Sequence, residues 1–155
     1  MSILSNIVIR LMQVKNRKIT DAISLFTSEK EILAVDFDGT LCAWAFPNIG
    51  REVFAVSSLL KEATELGYKI VIHSCRTNKH WGVAREVSSY NMIMWLVGNK
   101  IPFDAIWGMR YTNGKWEFSD EDVGKPFANF YLDDSATSLR ELDWLLTQMK
   151  EVDKV

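Results

Sequence analysis

Cysteine is scarce in this chain. Its 155 residues include two, Cys42 and Cys75, which excludes a disulfide scaffold and sets the expectation of free thiols in a reducing compartment. An excess of either charge is also lacking: 18 Lys and Arg against 20 Asp and Glu leave a formal charge of −2. That balance gives no bulk attraction to nucleic acid or to an anionic membrane, though it leaves room for a local basic patch. No uninterrupted apolar run is long enough to span a bilayer, so no membrane partner is expected. Met1-Ser2-Ile3-Leu4 opens without early positive charge, Arg10 interrupts the apolar stretch, and no small-residue cleavage site follows. These features do not read as a signal peptide, and a cytoplasmic protein is the simplest expectation. Repeats, low-complexity tracts and Pro/Gly/Ser-rich linkers are missing as well. What is present, 48% apolar and 25% charged residues, is ordinary for one globular domain with a substantial core.

Ile3, Leu4, Ile7, Val8, Leu11 and Met12 recur at helical spacing, and Arg10, Lys15, Arg17 and Lys18 make the far end of that helix basic. Residues 1–30 therefore read as an N-terminal helical extension, packed on the domain or on a second copy of the chain. A membrane surface or an acidic partner is the alternative. Residues 31–155 read as the core. Ile32-Leu33-Ala34-Val35 predicts a buried parallel strand ending at Asp36. A helix is expected over about 53–66 with Gly67 as its stop, a strand over 68–73 ending at Ser74, and a helix over about 81–97, broken once. Residues 104–107 read as a third strand. Asn113-Gly114 marks a hairpin between 109–111 and 115–118. A strand over 127–132 leads to Asp133-Asp134, and Ser135 caps a final helix carrying Leu139, Leu142, Leu145 and Leu146.

Alternating strands and helices predict an α/β fold, a Rossmann-like parallel sheet with helices on both faces. In such sheets the functional crevice lies beyond the carboxyl ends of the strands. Asp36, Ser74 and Asp133-Asp134 each fall at a predicted strand end. In Asp36-Phe37-Asp38-Gly39-Thr40 the i, i+2 spacing aims both carboxylates into one site and turns Phe37 away, while Gly39 permits a sharp turn. A strand followed by an aspartate-rich turn is the plainer alternative for that segment alone.

Asp36-Phe37-Asp38-Gly39-Thr40-Leu41 resembles the first motif of the haloacid dehalogenase (HAD) superfamily of phosphotransferases. Ser74 after Ile70-Val71-Ile72-His73 is similar to its second motif, Lys125 in Gly124-Lys125-Pro126 to its third, and Asp133-Asp134 after Phe130-Tyr131-Leu132 to its acidic fourth. The four occur in order over residues 32–140. His73-Ser74-Cys75-Arg76 and Gly124-Lys125-Pro126 resemble in particular the compact members without a sizeable cap domain. The resemblance implies a Mg²⁺-dependent phosphomonoester hydrolase acting through an aspartyl-phosphate intermediate. It implies Asp36, the carbonyl of Asp38 and an acid of the Asp133-Asp134 pair as metal ligands, with Asp133 direct and Asp134 through water as the favoured assignment.

The charges are consistent with that chemistry. A dianionic phosphate with Asp36, Asp133 and Asp134 carries five negative charges; Mg²⁺ and Lys125 leave two, with Asp38 taken as protonated. Two unit charges about 4 Å apart interact by roughly 4 kcal/mol at an effective dielectric near 20, so the metal is indispensable. An all-oxygen ligand set favours Mg²⁺. In this reading Asp36 attacks phosphorus. Asp38 protonates the leaving group and then takes a proton from the hydrolytic water. Ser74 and neighbouring backbone N–H groups hold phosphate oxygens, and Gly39, Thr40 and Cys75 count among the substrate-binding residues. Lys125 steadies Asp36 and the phosphoryl group, Thr40 braces its loop by a hydrogen bond, and Arg76 contacts a phosphate or a second substrate group. Lys125 precedes Asp133 by only eight residues, which leaves no room for a helix between them; Lys115 is the weaker substitute. His73 reads as a core residue and His80 as a solvent-exposed one.

Dehalogenases of that superfamily lack the second aspartate of the first motif, phosphomutases need a cap, and receiver domains place their motifs in the reverse order. A catalytically idle binding module stays open beside the phosphatase. Nucleotides or nucleic-acid ends, sugar phosphates and phosphoproteins are the candidate substrates. Trp44, Trp81, Trp107 and Trp116 fall near the sheet's carboxyl edge, where exposed rings would stack a base; core filling is the alternative. Cys42 and Cys75 would flank the site on neighbouring strands, where electropositive surroundings favour thiolate; two inert small core residues are the alternative.

Overall fold

The computed structural model describes residues 31–122, 124–133 and 139–152. The expected N-terminal helix and its role in pairing two copies of the chain, the Ser135 cap, and Asp134 lie outside the described residues. β1 (Ile32–Asp36) is followed by α1 (Phe54–Glu65), β2 (Lys69–His73), two single 3₁₀ turns (Cys75–Thr77 and Lys79–Trp81) and α2 (Ala84–Gly98). Then come β3 (Ala105–Ile106), β4 (Met109–Thr112), β5 (Lys115–Phe118), β6 (Phe130–Leu132) and α3 (Leu139–Val152).

Strands β3, β2, β1 and β6 form one parallel sheet in that order. This is a Rossmann-like α/β arrangement with helices flanking the sheet. Leu33, Val35, Ile70, Ile72, Ile106 and Leu132 point to one face and merge with buried residues of α1, α2 and α3 into the main core. The period of two sends Ile32, Ala34, Val71 and Ala105 to the other face, where they cluster with Ala128 and the Trp107 ring. Small residues dominate there.

Local signals account for most element ends. In α1 the buried Val56, Leu59, Leu60 and Ala63 follow helical spacing, and Gly67 at φ +94° ends the helix as expected. Asn113 and Gly114, at φ 52° and 76°, form the hairpin turn between β4 and β5. Two strands are shorter than the apolar runs imply. β3 keeps only Ala105 and Ile106, since the Asp104 carboxylate accepts from the Ile70 N–H beside it. β6 starts at Phe130 because the Tyr131 hydroxyl donates to the Pro126 carbonyl and accepts from the Ala128 N–H, looping the preceding residues. The second long helix, expected over about 81–97 with one break, runs unbroken over Ala84–Gly98, and Lys79–Trp81 form a separate 3₁₀ turn ahead of it. Residues 37–53 connect β1 to α1 as a loop, with no second domain between them. Among the described residues no helix is long and apolar enough to cross a membrane.

Candidate active site

The strand order turns back at β1, which has the preceding run β2–β3 on one side and the late strand β6 on the other. Ligand crevices of open parallel sheets lie at that reversal, beyond the carboxyl ends. Asp36 ends β1 there. Its register partner is His73 of β2, and since Val35 pairs with Leu132, Asp133 is the next residue on the other flank. Asp36, His73 and Asp133 thus stand side by side across three strand ends, each half-buried. Ser74 follows His73 and is also half-buried. Its Oγ accepts the Arg76 N–H at 3.1 Å, which leaves the hydroxyl proton to donate.

After Asp36 the chain turns tightly. The N–H groups of Thr40, Leu41 and Cys42 converge on the Phe37 carbonyl, and Gly39, at φ +85°, donates to the Cys42 carbonyl. Phe37 is buried edge-on against Trp95, which leaves the flanking aspartates on the polar side. Asp38 is 4% exposed and both its oxygens accept from Arg76, from Nε and Nη2 at 2.8 Å each.

Several expectations need correction. Arg76 does not reach a substrate: it is fully buried, and its remaining N–H groups go to the carbonyls of Pro47, Asn48 and Ser88. Its guanidinium, rather than a proton on the carboxyl group, is the partner of Asp38. Thr40 is fully buried and its hydroxyl has no partner among the described residues, so it neither braces the loop nor meets a phosphate. The Gly39 and Thr40 N–H groups are committed within the turn. Neither is free to meet a phosphate oxygen. The thiols are not activated either. Burial first, and then the negative charge of Asp38, pushes Cys42 above the usual thiol range. Cys75 is raised by burial, then by Asp38 and Asp36, against a smaller opposing effect of Arg76. Cys42 is buried, whereas Cys75 is exposed beside Ser74.

Lys125 is exposed. Its charge reaches His73, whose imidazole is lowered below its ordinary value by burial first and Lys125 second, against the opposing pull of Asp133. Gly124, the residue before it, lines the same cavity as His73 and Ser74. A magnesium ion fits the donor chemistry at the strand ends. Asp36 and Asp133 supply two carboxylates, and the turn uses the carbonyls of Phe37 and Cys42 rather than that of Asp38. Among the described residues no three acidic, histidine or cysteine side chains converge. Mg²⁺ characteristically takes one or two carboxylates and keeps several waters.

Beside Ser74 opens a cavity of about 460 Å³, bounded by the first 3₁₀ turns on one side and by Ser119, Asp120, Asp122 and Gly124 on the other. The motifs mark Gly124 on its far wall but neither Asp120 nor Asp122. Asp122 accepts from both Arg110 Nη atoms at 2.6 Å and from the Gly108 N–H at 2.8 Å. Trp107 Nε1 donates to the Gly124 carbonyl. The acidic run Asp120-Glu121-Asp122 was the available signal, but nothing in it names its arginine partners. The tryptophans divide. Trp116 is core, and Trp107 lines the cavity half-buried. Trp44 and Trp81 are 68% and 38% exposed, with Phe46 between them at ring distances of 6.2 and 5.0 Å.

No protein-family model and no curated protein matches the chain. Among solved structures it is similar to a conserved protein of Bacteroides thetaiotaomicron, at 21% identity and a TM-score of 0.53, over 79% of this chain and 92% of that one. A structural-genomics target from Vibrio cholerae aligns at 24% identity and a TM-score of 0.41, over 76% of this chain and 98% of that one. The first likeness supports the α/β fold alone.

Proposed function

We propose that this protein is a Mg²⁺-dependent phosphomonoester hydrolase that attacks phosphorus with Asp36. The observation that carries the reading is the alignment of Asp36 with Asp133 at the strand-order reversal, with Ser74 directly after the end of the neighbouring strand β2. The resemblance of the four strand-end motifs to the HAD superfamily points the same way. Magnesium, when bound by Asp36, Asp133 and the Asp38 carbonyl, offsets negative charge that would otherwise repel a phosphate dianion.

The chain's own groups divide the work. Asp36 is a carboxylate nucleophile that forms an acyl phosphate. Ser74 donates to a phosphate oxygen, and Lys125 adds positive charge at the same edge. Asp38, held by Arg76, keeps a second lone pair on each oxygen. It can take the proton of the water that hydrolyses the acyl phosphate and return it to the next leaving group. Trp44 and Trp81 offer exposed rings on either side of the half-buried Phe46, whose ring lies 4.9 Å from the Arg76 guanidinium. That surface favours a nucleotide or a nucleic-acid end over a simple sugar phosphate or a phosphoprotein. A cytoplasmic location fits this chemistry.

Phosphate release from an aryl phosphate, with and without EDTA, tests the reading. Wild type is expected to require Mg²⁺ and Asp36→Asn to be inactive. Undiminished activity of Asp36→Asn in EDTA overturns the mechanism, and no release from any phosphate monoester leaves the idle binding module.

A further inference from the structure

The cavity beside Ser74 carries more information than its position. Two of its side chains are cationic. Arg85 is locked in place: its Nε donates to the Thr77 carbonyl at 2.8 Å, its Nη2 to Asp120 at 2.7 Å, and its guanidinium lies 3.9 Å over the Phe118 ring. Its side chain is 13% exposed. Among the described residues its Nη1 has no partner, so a rigid guanidinium edge with two N–H donors is unspent. Lys79 also lines the cavity and makes no ion pair among the described residues.

The two acids that line the cavity are each already paired. Asp122 is saturated by Arg110 and the Gly108 N–H. Asp120 balances Arg85, which leaves Lys79 as net positive charge. The walls are preformed. Gly108, at φ +90°, packs so closely on Thr77 that an added Cβ would lie 2.7 Å from its Oγ1. The bond from Trp107 to Gly124 ties the opposite rim. At about 460 Å³ the space falls within the ordinary range of small-molecule pockets.

We infer that this cavity is the leaving-group subsite and that it selects phosphate esters bearing a second anionic group, gripped by Lys79 Nζ and Arg85 Nη1. The inference rests on the phosphatase reading, because Ser74 is the residue shared by the cavity and the proposed phosphate site. A pre-organised guanidinium edge and a mobile ammonium together suit a phosphate or a carboxylate oxygen set. A neutral leaving group would leave the Lys79 ammonium and the Arg85 Nη1 edge without a partner in the cavity.

The test is a series of monoalkyl phosphates with chains of about three to five carbons, ending in a hydroxyl, a carboxylate or a phosphate. In the wild-type protein kcat/KM is expected to be at least tenfold higher for an anionic tail than for the hydroxyl tail, at one chain length or more. The phosphate and carboxylate arms report which anion the subsite prefers. That ratio is expected to collapse toward one in Lys79→Gln and to fall in Arg85→Lys. Arg85→Lys retains the charge but loses the second donor of the edge, and an unchanged melting temperature for either variant confirms that it is folded. Ratios near one in the wild type, with all esters hydrolysed, overturn the inference and leave the phosphatase. If no ester is hydrolysed the proposed function fails. Calorimetric binding of the bisphosphate against the hydroxyl-tailed monophosphate then judges the subsite alone, and equal affinities remove it as well.

Discussion

Arg76 and Asp38 form a two-pronged ion pair with almost no access to water: Nε and Nη2 each sit 2.8 Å from one carboxylate oxygen, and the side chains are 0% and 3% exposed. The pair joins the loop after β1 to the turn after β2. It extends further through the Arg76 bonds to Pro47 and Asn48, and through the Ser89 hydroxyl, which holds the Arg76 carbonyl at 2.7 Å. One buried guanidinium thus organises the second aspartate, the aromatic loop and the start of α2.

Removing either partner leaves a buried charge without its counter-charge. Arg76→Ala and Asp38→Asn are each expected to cost about 3–5 kcal/mol of folding stability, measured by denaturant unfolding. The double variant Asp38→Asn, Arg76→Met is expected to lose much less than the sum of the single variants. A single-variant loss below about 1 kcal/mol, the range of a solvent-exposed pair, contradicts the burial described.

Turnover separates from stability in that same double variant. Without a proton carrier at position 38, esters with poor leaving groups suffer most, because they depend on protonation of the departing oxygen. Alkyl phosphates are expected to lose a factor of about 10²–10⁴ and 4-nitrophenyl phosphate considerably less. Equal losses for both esters assign Asp38 a purely structural role.

The thiols should be slow to react at neutral pH. Burial and the neighbouring aspartates raise both, so each is protonated there. Iodoacetamide is expected to modify Cys75 only as the solution becomes alkaline, and Cys42 only on unfolding. Modification at Cys75 is expected to lower activity, since that residue lines the cavity beside Ser74. Mass spectrometry with a parallel assay checks this; rapid labelling of Cys75 at pH 7 contradicts it.

His73 gives the fold a pH dependence. Its imidazole is lowered below the ordinary 6.5, so near and below that pH the unfolded chain binds more protons than the folded one. Stability then rises with pH. The contribution is complete above the ordinary value and is lost as pH falls from there through the folded-state value. Melting curves between about pH 5 and 7.5 are expected to show a steeper acid-side loss for wild type than for His73→Gln. Parallel curves remove His73 as the cause.

The exposed rings test the nucleotide reading. Stacking contributes about 1–3 kcal/mol per base, so Trp81→Ala or Trp44→Ala is expected to raise KM for a nucleotide about tenfold or more with the fold intact. Sugar phosphates are expected to be far poorer substrates for the wild type. Equal kcat/KM for the two classes, unaffected by either substitution, removes the argument for a nucleotide.

Local pattern was enough for the frame. The apolar run Ile32–Val35 ending in Asp36, the stop at Gly67 and the Asn113-Gly114 hairpin depend on neighbours in the chain, so periodicity and turn chemistry reveal them. The same logic put Asp36, Ser74 and Asp133 at strand ends, and the parallel register then brought those ends together. Partners distant in sequence were a different matter. Arg76 and Ser74 stand two residues apart, yet only the packed structure turns one into the core and leaves the other at the crevice. The choice of Asp38 as the partner of Arg76, 38 residues away, and of Asp120 for Arg85, 35 residues away, has no signature in spacing. Trp116 and Trp81 are likewise indistinguishable as letters. Trp116 sits on a hairpin strand facing the core and Trp81 on a short turn facing solvent. Burial decides what a charged or aromatic side chain does, and burial is set by what the rest of the chain lays over it.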